Sequence, residues 1–144
     1  MQWVTRHRPK VDRIACPWLI RRFVDPQPEF LYVPPDQVLP TARQTGAIPY
    51  DVDGVELTHD GPLCSFDALI KKYTLTNDPA LREMATVIRG ADTNRLDLSP
   101  LCPGVYAILI GLSRTHDDDH EQLQHGMAVC EALYAWCASR VGAH

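Results

Sequence analysis

Two hydrophobic rhythms run along this chain: short apolar stretches broken by prolines in the first half, and helical repeats in the second. Gln2 to Thr5 is short enough for an edge strand. Ile14, Ala15, Trp18, Leu19 and Phe23 recur at helical spacing and predict a helix over residues 13–24, with Asp12 as its N-cap. Pro17 falls inside that pattern, so the helix starts near Cys16 or kinks there, and Pro26 and Pro28 stop it. Glu29 to Val33 reads as a strand ended by Pro34-Pro35. Residues 36–44 read as a short helix, with Gly46 as its cap. Ile48 to Val52 and Val55 to Thr58 predict two strands joined at Asp53-Gly54, a strong hairpin dipeptide.

In the second half, Ser65 caps a predicted helix through Tyr73 that buries Phe66, Leu69, Ile70 and Tyr73. Asp78-Pro79 is a helix start, a cap followed by proline at the first helical position. Leu81, Met84, Ala85 and Ile88 give that helix one apolar face, and Gly90 is placed to end it. Pro103 opens an apolar segment to Leu112 whose length predicts a buried helix. Asp117, Asp118 and Asp119 suit the positive end of a last helix. There His120, Leu123, Met127, Cys130, Tyr134, Cys137 and Val141 repeat at steps of three and four, and Met127 and Trp136 read as core. The fold expected is α+β: a small, mostly antiparallel sheet from the N-terminal half, packed by about five helices drawn mainly from the C-terminal half. One domain over residues 1–144 accommodates all of it.

Charge narrows the possible partners. The net charge of −4 disfavours a free-standing nucleic-acid binder, which needs a basic surface. Six of the 14 basic residues nevertheless lie in the first 22 positions (Arg6, Arg8, Lys10, Arg13, Arg21, Arg22), against Asp12 alone. No apolar run reaches the roughly 18–20 residues of a membrane span. Five cysteines without a CxxC pair, and no leader-like apolar segment at the start, predict reduced thiols and a cytoplasmic protein. A homo-oligomer remains open.

Four groups could carry chemistry. Arg13, Arg21 and Arg22 belong to a cation cluster that either binds a small oxyanion or phosphorylated ligand, or is a solvated basic face. Asp51, Glu56, His59 and Cys64 supply metal-ligand types around the predicted hairpin. In a regular strand Glu56 and His59 would point to opposite faces, so convergence needs a bulge or the turn at Asp60-Gly61. Asp92, at a predicted helix end, either begins a loop or adds a carboxylate to that site. His116, His120 and His125 form the last group. His120-Glu121 with His125 imitates a zinc-protease helix, but the second histidine comes one residue too late, and the motif is rejected. His120, on the apolar stripe, reads as a hydrogen-bonded, partly buried residue. Cys16 and Cys64 stand as nucleophile candidates, and a helix start beside Arg13 would depress the pKa of Cys16. Phosphate-binding glycine loops and a serine elbow are absent.

The string from Val11 through Cys16-Pro17-Trp18 to Pro26 resembles the opening of the C-terminal domain of the chromate-resistance protein ChrB family. Glu56-Leu-Thr-His59, Cys64-Ser-Phe66, Arg89-Gly-Ala-Asp92, Asp118-Asp-His-Glu-Gln-Leu123 and the stretch from Gly126 to Trp136 are similar to that family, in order along nearly the whole chain. The resemblance implies a part in bacterial chromate resistance, and it favours Glu56, His59 and Asp92 as a divalent-metal site. In the family a regulatory or sulfurtransferase-like region precedes this domain, whereas this sequence begins almost directly at it. The leading expectation is a domain binding a divalent metal, a small oxyanion or both, in chromate sensing or detoxification. The alternatives are a metal-dependent enzyme acting on an oxyanion or small molecule, and a non-catalytic protein-interaction module.

Overall fold

The computed structural model describes residues 1–141, so the last three positions of the expected domain lie outside the described residues. It has three strands, β1 (Gln2–Arg6), β2 (Glu29–Val33) and β3 (Ile48–Pro49). Six α-helices accompany them: α1 (Val11–Leu19), α2 (Val38–Thr45), α3 (Ser65–Lys72), α4 (Pro79–Asp92), α5 (Cys102–Thr115) and α6 (Asp119–Val141). The α+β class stands. The sheet order is β2-β1-β3 and both pairings are parallel, which corrects the antiparallel expectation.

The predicted hairpin fails for local reasons. Pro49 lacks an N–H for the ladder, and Asp51 turns into the left-handed region at φ 52°, which ends the extended conformation. Asp53-Gly54 does make a turn, with Gly54 at φ 87°. A backbone bond from Asp51 N–H to the Leu57 carbonyl at 2.8 Å and the isolated Asp60–Leu63 bridge tie the segment. Residues 51–59 are therefore a folded loop, free to aim side chains that a strand would alternate.

Helix α1 begins two residues earlier than predicted. Lys10 takes the cap position and Asp12 lies inside the first turn. Pro17 is accommodated within α1, and the backbone widens into a π-helical turn over Ile20–Val24 before β2. Cys64, not Ser65, caps α3: its N–H donates to Asp67 at 3.0 Å in a reciprocal capping arrangement. The Asp78 carboxylate caps α4 as predicted, accepting from Leu81 N–H at 3.1 Å, but α4 runs through Gly90 to Asp92. A side chain at position 90 would collide with Cys102 and the Arg95 carbonyl, so Gly90 serves close packing rather than termination.

The core lies between β1, α1, α3, α4 and α6, with Trp3, Ile14, Leu19, Phe66, Leu81 and Met84 wholly buried. The five cysteines are all buried and unpaired. Two core expectations are corrected. Helix α5 buries only Cys102 and Leu109 fully, leaving Ile108 54% exposed, because it packs as an outer layer with one side against α4 and α6. Trp136 falls on the outer side of α6 and is 51% exposed. Among the described residues no helix is long and apolar enough to cross a membrane.

Candidate metal and anion site

The C-terminal ends of β1 and β3 open on the same edge of the sheet, where parallel sheets receive their ligands. Arg6 closes β1, and Asp51 follows β3. The start of α1 brings Asp12 and Arg13, the start of α3 brings Ser65, and the last residue of α4 is Asp92. The loop after Asp51 folds back and delivers His59. Arg6, Arg13, Asp51, His59 and Asp92 line a cleft of about 320 Å³ with Lys10, Tyr106 and Ile110 on its walls, and Asp12 and Ser65 lie buried behind them.

His59 Nε2 stands 3.0 Å from Asp92 Oδ2, 3.4 Å from Asp51 Oδ1 and 3.8 Å from Asp12 Oδ2. Asp12, His59 and Asp92 each offer a ligand atom, all lying within 4.8 Å of one another. Two helix starts hold the acids in place. Ser65 N–H donates to Asp12 Oδ2 at 2.7 Å, and Asp12 N–H donates to Asp92 Oδ1 at 3.2 Å. Asp51 is the best-satisfied acid: Arg6 Nη2 (3.1 Å), Arg13 Nη1 (3.2 Å) and Ser65 Oγ (2.7 Å) all donate to its carboxylate.

The three carboxylates are tuned apart. Burial raises the pKa of Asp12 well above the usual range, and the neighbouring charges of Asp92 and Asp51 raise it further. Burial and Asp51 likewise push Asp92 up. Burial acts on Asp51 in the same sense but is outweighed by hydrogen bonds from His59 and Ser65 and by Arg13 and Arg6, which hold it well below the usual range. His59 is raised to about 9 by its hydrogen bond to Asp51, opposed by partial burial and helped by the charges of Asp92, Asp12 and Asp51.

This gives a pH-dependent stability with a definite sign. The folded pKa of His59 exceeds the unfolded value of about 6.5, so protonation favours the folded state. The contribution is complete below about pH 6.5 and is lost as pH rises through about 9. Allowing for screening at a side chain 43% exposed, it amounts to about 1–2 kcal/mol. In metal-free protein, the stability advantage of wild type over His59→Gln should shrink by that amount across the window, measured by urea unfolding at each pH. An advantage that stays constant would mean His59 is not held as an imidazolium.

The sequence-predicted residues divide sharply. His59, Asp92, Asp51 and Arg13 meet in the cleft, whereas Glu56 does not. The loop turns Glu56 outward, where it is exposed and pairs with Lys72 Nζ at 3.2 Å. Its place is taken by Asp12, which the sequence reading assigned to a cap. Spacing held the signal, because Asp12 shares a helix face with Ala15, Cys16 and Leu19, and a carboxylate on a buried stripe needs a partner. Arg21 and Arg22 sit elsewhere, lining a separate groove with Trp18, Gln124, Met127 and Glu131, and Arg22 pairs with Glu131 at 3.3 Å. Arg6 joins Arg13 in the cleft instead. Cys64 points its thiol at Asp67, 3.3 Å away. Burial and nearby carboxylates raise the pKa of both Cys16 and Cys64, the reverse of nucleophile activation. His120 is exposed and sets its ring edge-on to Tyr32.

The arrangement is a small α+β domain with an aspartate–histidine cluster at the C-terminal edge of a parallel sheet. The family profile described as ChrB, C-terminal domain matches residues 3–137, and the chain belongs to that family. It is 33% identical over 138 residues to Protein ChrB of Cupriavidus metallidurans (strain CH34), covering 96% of this chain and 41% of that relative. The chain thus spans about two fifths of the length of the curated relative it matches. No solved structure matches.

Proposed function

We propose that this domain acts in the response to chromate by holding a divalent cation on Asp12, His59 and Asp92, and a small oxyanion beside it against Arg6 and Arg13. The observation that carries this reading is the convergence of Asp12, Asp51 and Asp92 on one imidazole at the mouth of the cleft. Burial first, and then the repulsion between carboxylates so close together, raise the pKa values of Asp12 and Asp92. A cation relieves that repulsion. Two carboxylate oxygens and one imidazole nitrogen suit manganese, iron or zinc.

Charge supports the second half of the proposal. With the acids ionised, Arg6, Arg13 and protonated His59 just balance them. A divalent cation in place of the His59 proton leaves the cluster positive by one charge, which favours an oxyanion. The guanidinium of Arg13 also has a buried Nε–H without an acceptor among the described residues. When bound, the metal would supply a Lewis-acidic contact for an oxyanion oxygen. The domain's own residues would position the anion with their N–H groups and keep Asp51 ionised.

Calorimetric titration with Mn²⁺ and then chromate tests this. Wild type should take up one Mn²⁺, and His59→Ala/Asp92→Asn should bind it at least about a hundredfold more weakly, since two donors are lost. Chromate should bind the Mn²⁺-loaded protein, and Arg6→Ala/Arg13→Ala should lose the chromate while keeping the metal. Failure of wild type to take up Mn²⁺ ends the metal reading. Equal chromate binding by wild type and the arginine variant ends the anion reading.

A further inference from the structure

The α5–α6 corner carries a second set of metal-ligand side chains, none of which lines the cleft. His116 caps the C-terminus of α5, while Glu121 and His125 lie four apart on α6 and share one face. Each offers one ligand atom, and all three lie within 4.8 Å of one another. The two imidazole rings approach to 4.6 Å between centroids. The zinc-protease spacing rejected from the sequence was built on His120. The structure instead completes the set with His116, from the preceding helix.

We propose that His116, Glu121 and His125 form a surface site for an imidazole-seeking divalent cation of the zinc class. Three features favour it. His116 Nδ1 lies 2.9 Å from Thr115 Oγ1 and 3.2 Å from the Leu112 carbonyl, which can only accept; the tautomer with its proton on Nδ1 satisfies that carbonyl and leaves the Nε2 lone pair for a metal. The corner is also braced from outside. The Arg8 guanidinium donates to the carbonyls of Ser113 (2.9 Å) and Asp117 (2.8 Å), and Arg8 N–H donates to Asp119 Oδ2 (3.1 Å). Glu121 N–H donates to Asp118 Oδ2 at 2.9 Å, fixing the first turn of α6. The backbone that carries the three ligands is thus fixed before a cation arrives. Finally, Glu121 and His125 are exposed, so water can complete a tetrahedral shell. Two nitrogens and one oxygen make this corner softer than the aspartate-rich cleft, so the two sites should prefer different metals.

The probe is Zn²⁺, titrated against His59→Ala/Asp92→Asn, which lacks the cleft donors. One equivalent should still bind. Adding His116→Ala/His125→Ala should weaken it by about tenfold or more, at least the loss that disturbing even an outer partner of a ligand causes. The same histidine pair changed in the otherwise native chain serves as a second variant. There Co²⁺ should lose the visible absorption that it gains at the corner, while Mn²⁺ uptake in the cleft is unchanged. Zn²⁺ affinity indifferent to the histidine pair in both backgrounds overturns the proposal, and so does the absence of Zn²⁺ binding when the cleft donors are removed. Neither result touches the Mn²⁺ test of the cleft.

Discussion

Gly126→Ala lowers the stability of this domain by about 1–3 kcal/mol, against the usual direction of a glycine-to-alanine change in a helix. In an unobstructed helix interior alanine gains about 1 kcal/mol over glycine. Here the new methyl would fall inside contact distance of Ile14 Cγ2, where α6 crosses α1. Ile14 is wholly buried and cannot swing away, so overpacking outweighs propensity. Ile14→Ala on its own should cost about 2–5 kcal/mol through its cavity. The double variant should be less damaged than the two losses added together, because each change makes room for the other. Urea unfolding of the four proteins settles the point, and strict additivity would mean the helices are not in contact at Gly126. The crossing matters for the cleft because α1 carries both Asp12 and Arg13.

Asp67→Ala costs about 2–3 kcal/mol, the scale of hydrogen bonds to a charged group. One carboxylate serves two elements here. Its Oδ2 accepts from Cys64 N–H at the start of α3, and it takes Arg89 of α4 in a two-pronged pair at 2.8 and 3.0 Å. Arg89→Met should cost only part of this, because the cap survives. Asp67 touches no proposed ligand, yet the turn it caps presents Ser65, whose N–H and hydroxyl hold Asp12 and Asp51. Asp67→Ala should therefore also weaken Mn²⁺ binding, and Asp67→Asn should recover much of it by restoring the cap acceptor. Unchanged Mn²⁺ affinity in Asp67→Ala would separate the cap from the site.

What was legible in the sequence was local. The Asp78-Pro79 start, the Gly46 cap at φ 76° and the strand at Glu29–Val33 each depend on neighbours a few residues away. Strand direction is different, because β1 chooses its partners across intervening helices and no dipeptide records that choice. The same limit governed the site. Residue types marked His59 and Asp92, but the folded loop turns Glu56 outward to an exposed pair with Lys72, and residue spacing does not record that turn. Asp12 was hidden because a helix-initial aspartate is usually a cap, whereas here its carboxylate is aimed across the core at the start of another helix. The α5 segment misled through its length. An outer-layer helix buries one side however apolar its sequence is.

The parallel sheet also sets the order in which this molecule can be assembled. No strand has a neighbour it can reach by a simple turn, so each pairing waits until a helix-bearing segment has closed. Asp12, Asp51, His59 and Asp92 stand on three segments, α1, the 51–59 loop and α4, and cannot be neighbours until all of them have docked. The cleft is thus a finishing feature, and a cation held there would bind only the completed chain. Its uptake would draw the folding equilibrium forward, acting as a latch on the finished molecule rather than as a template for it.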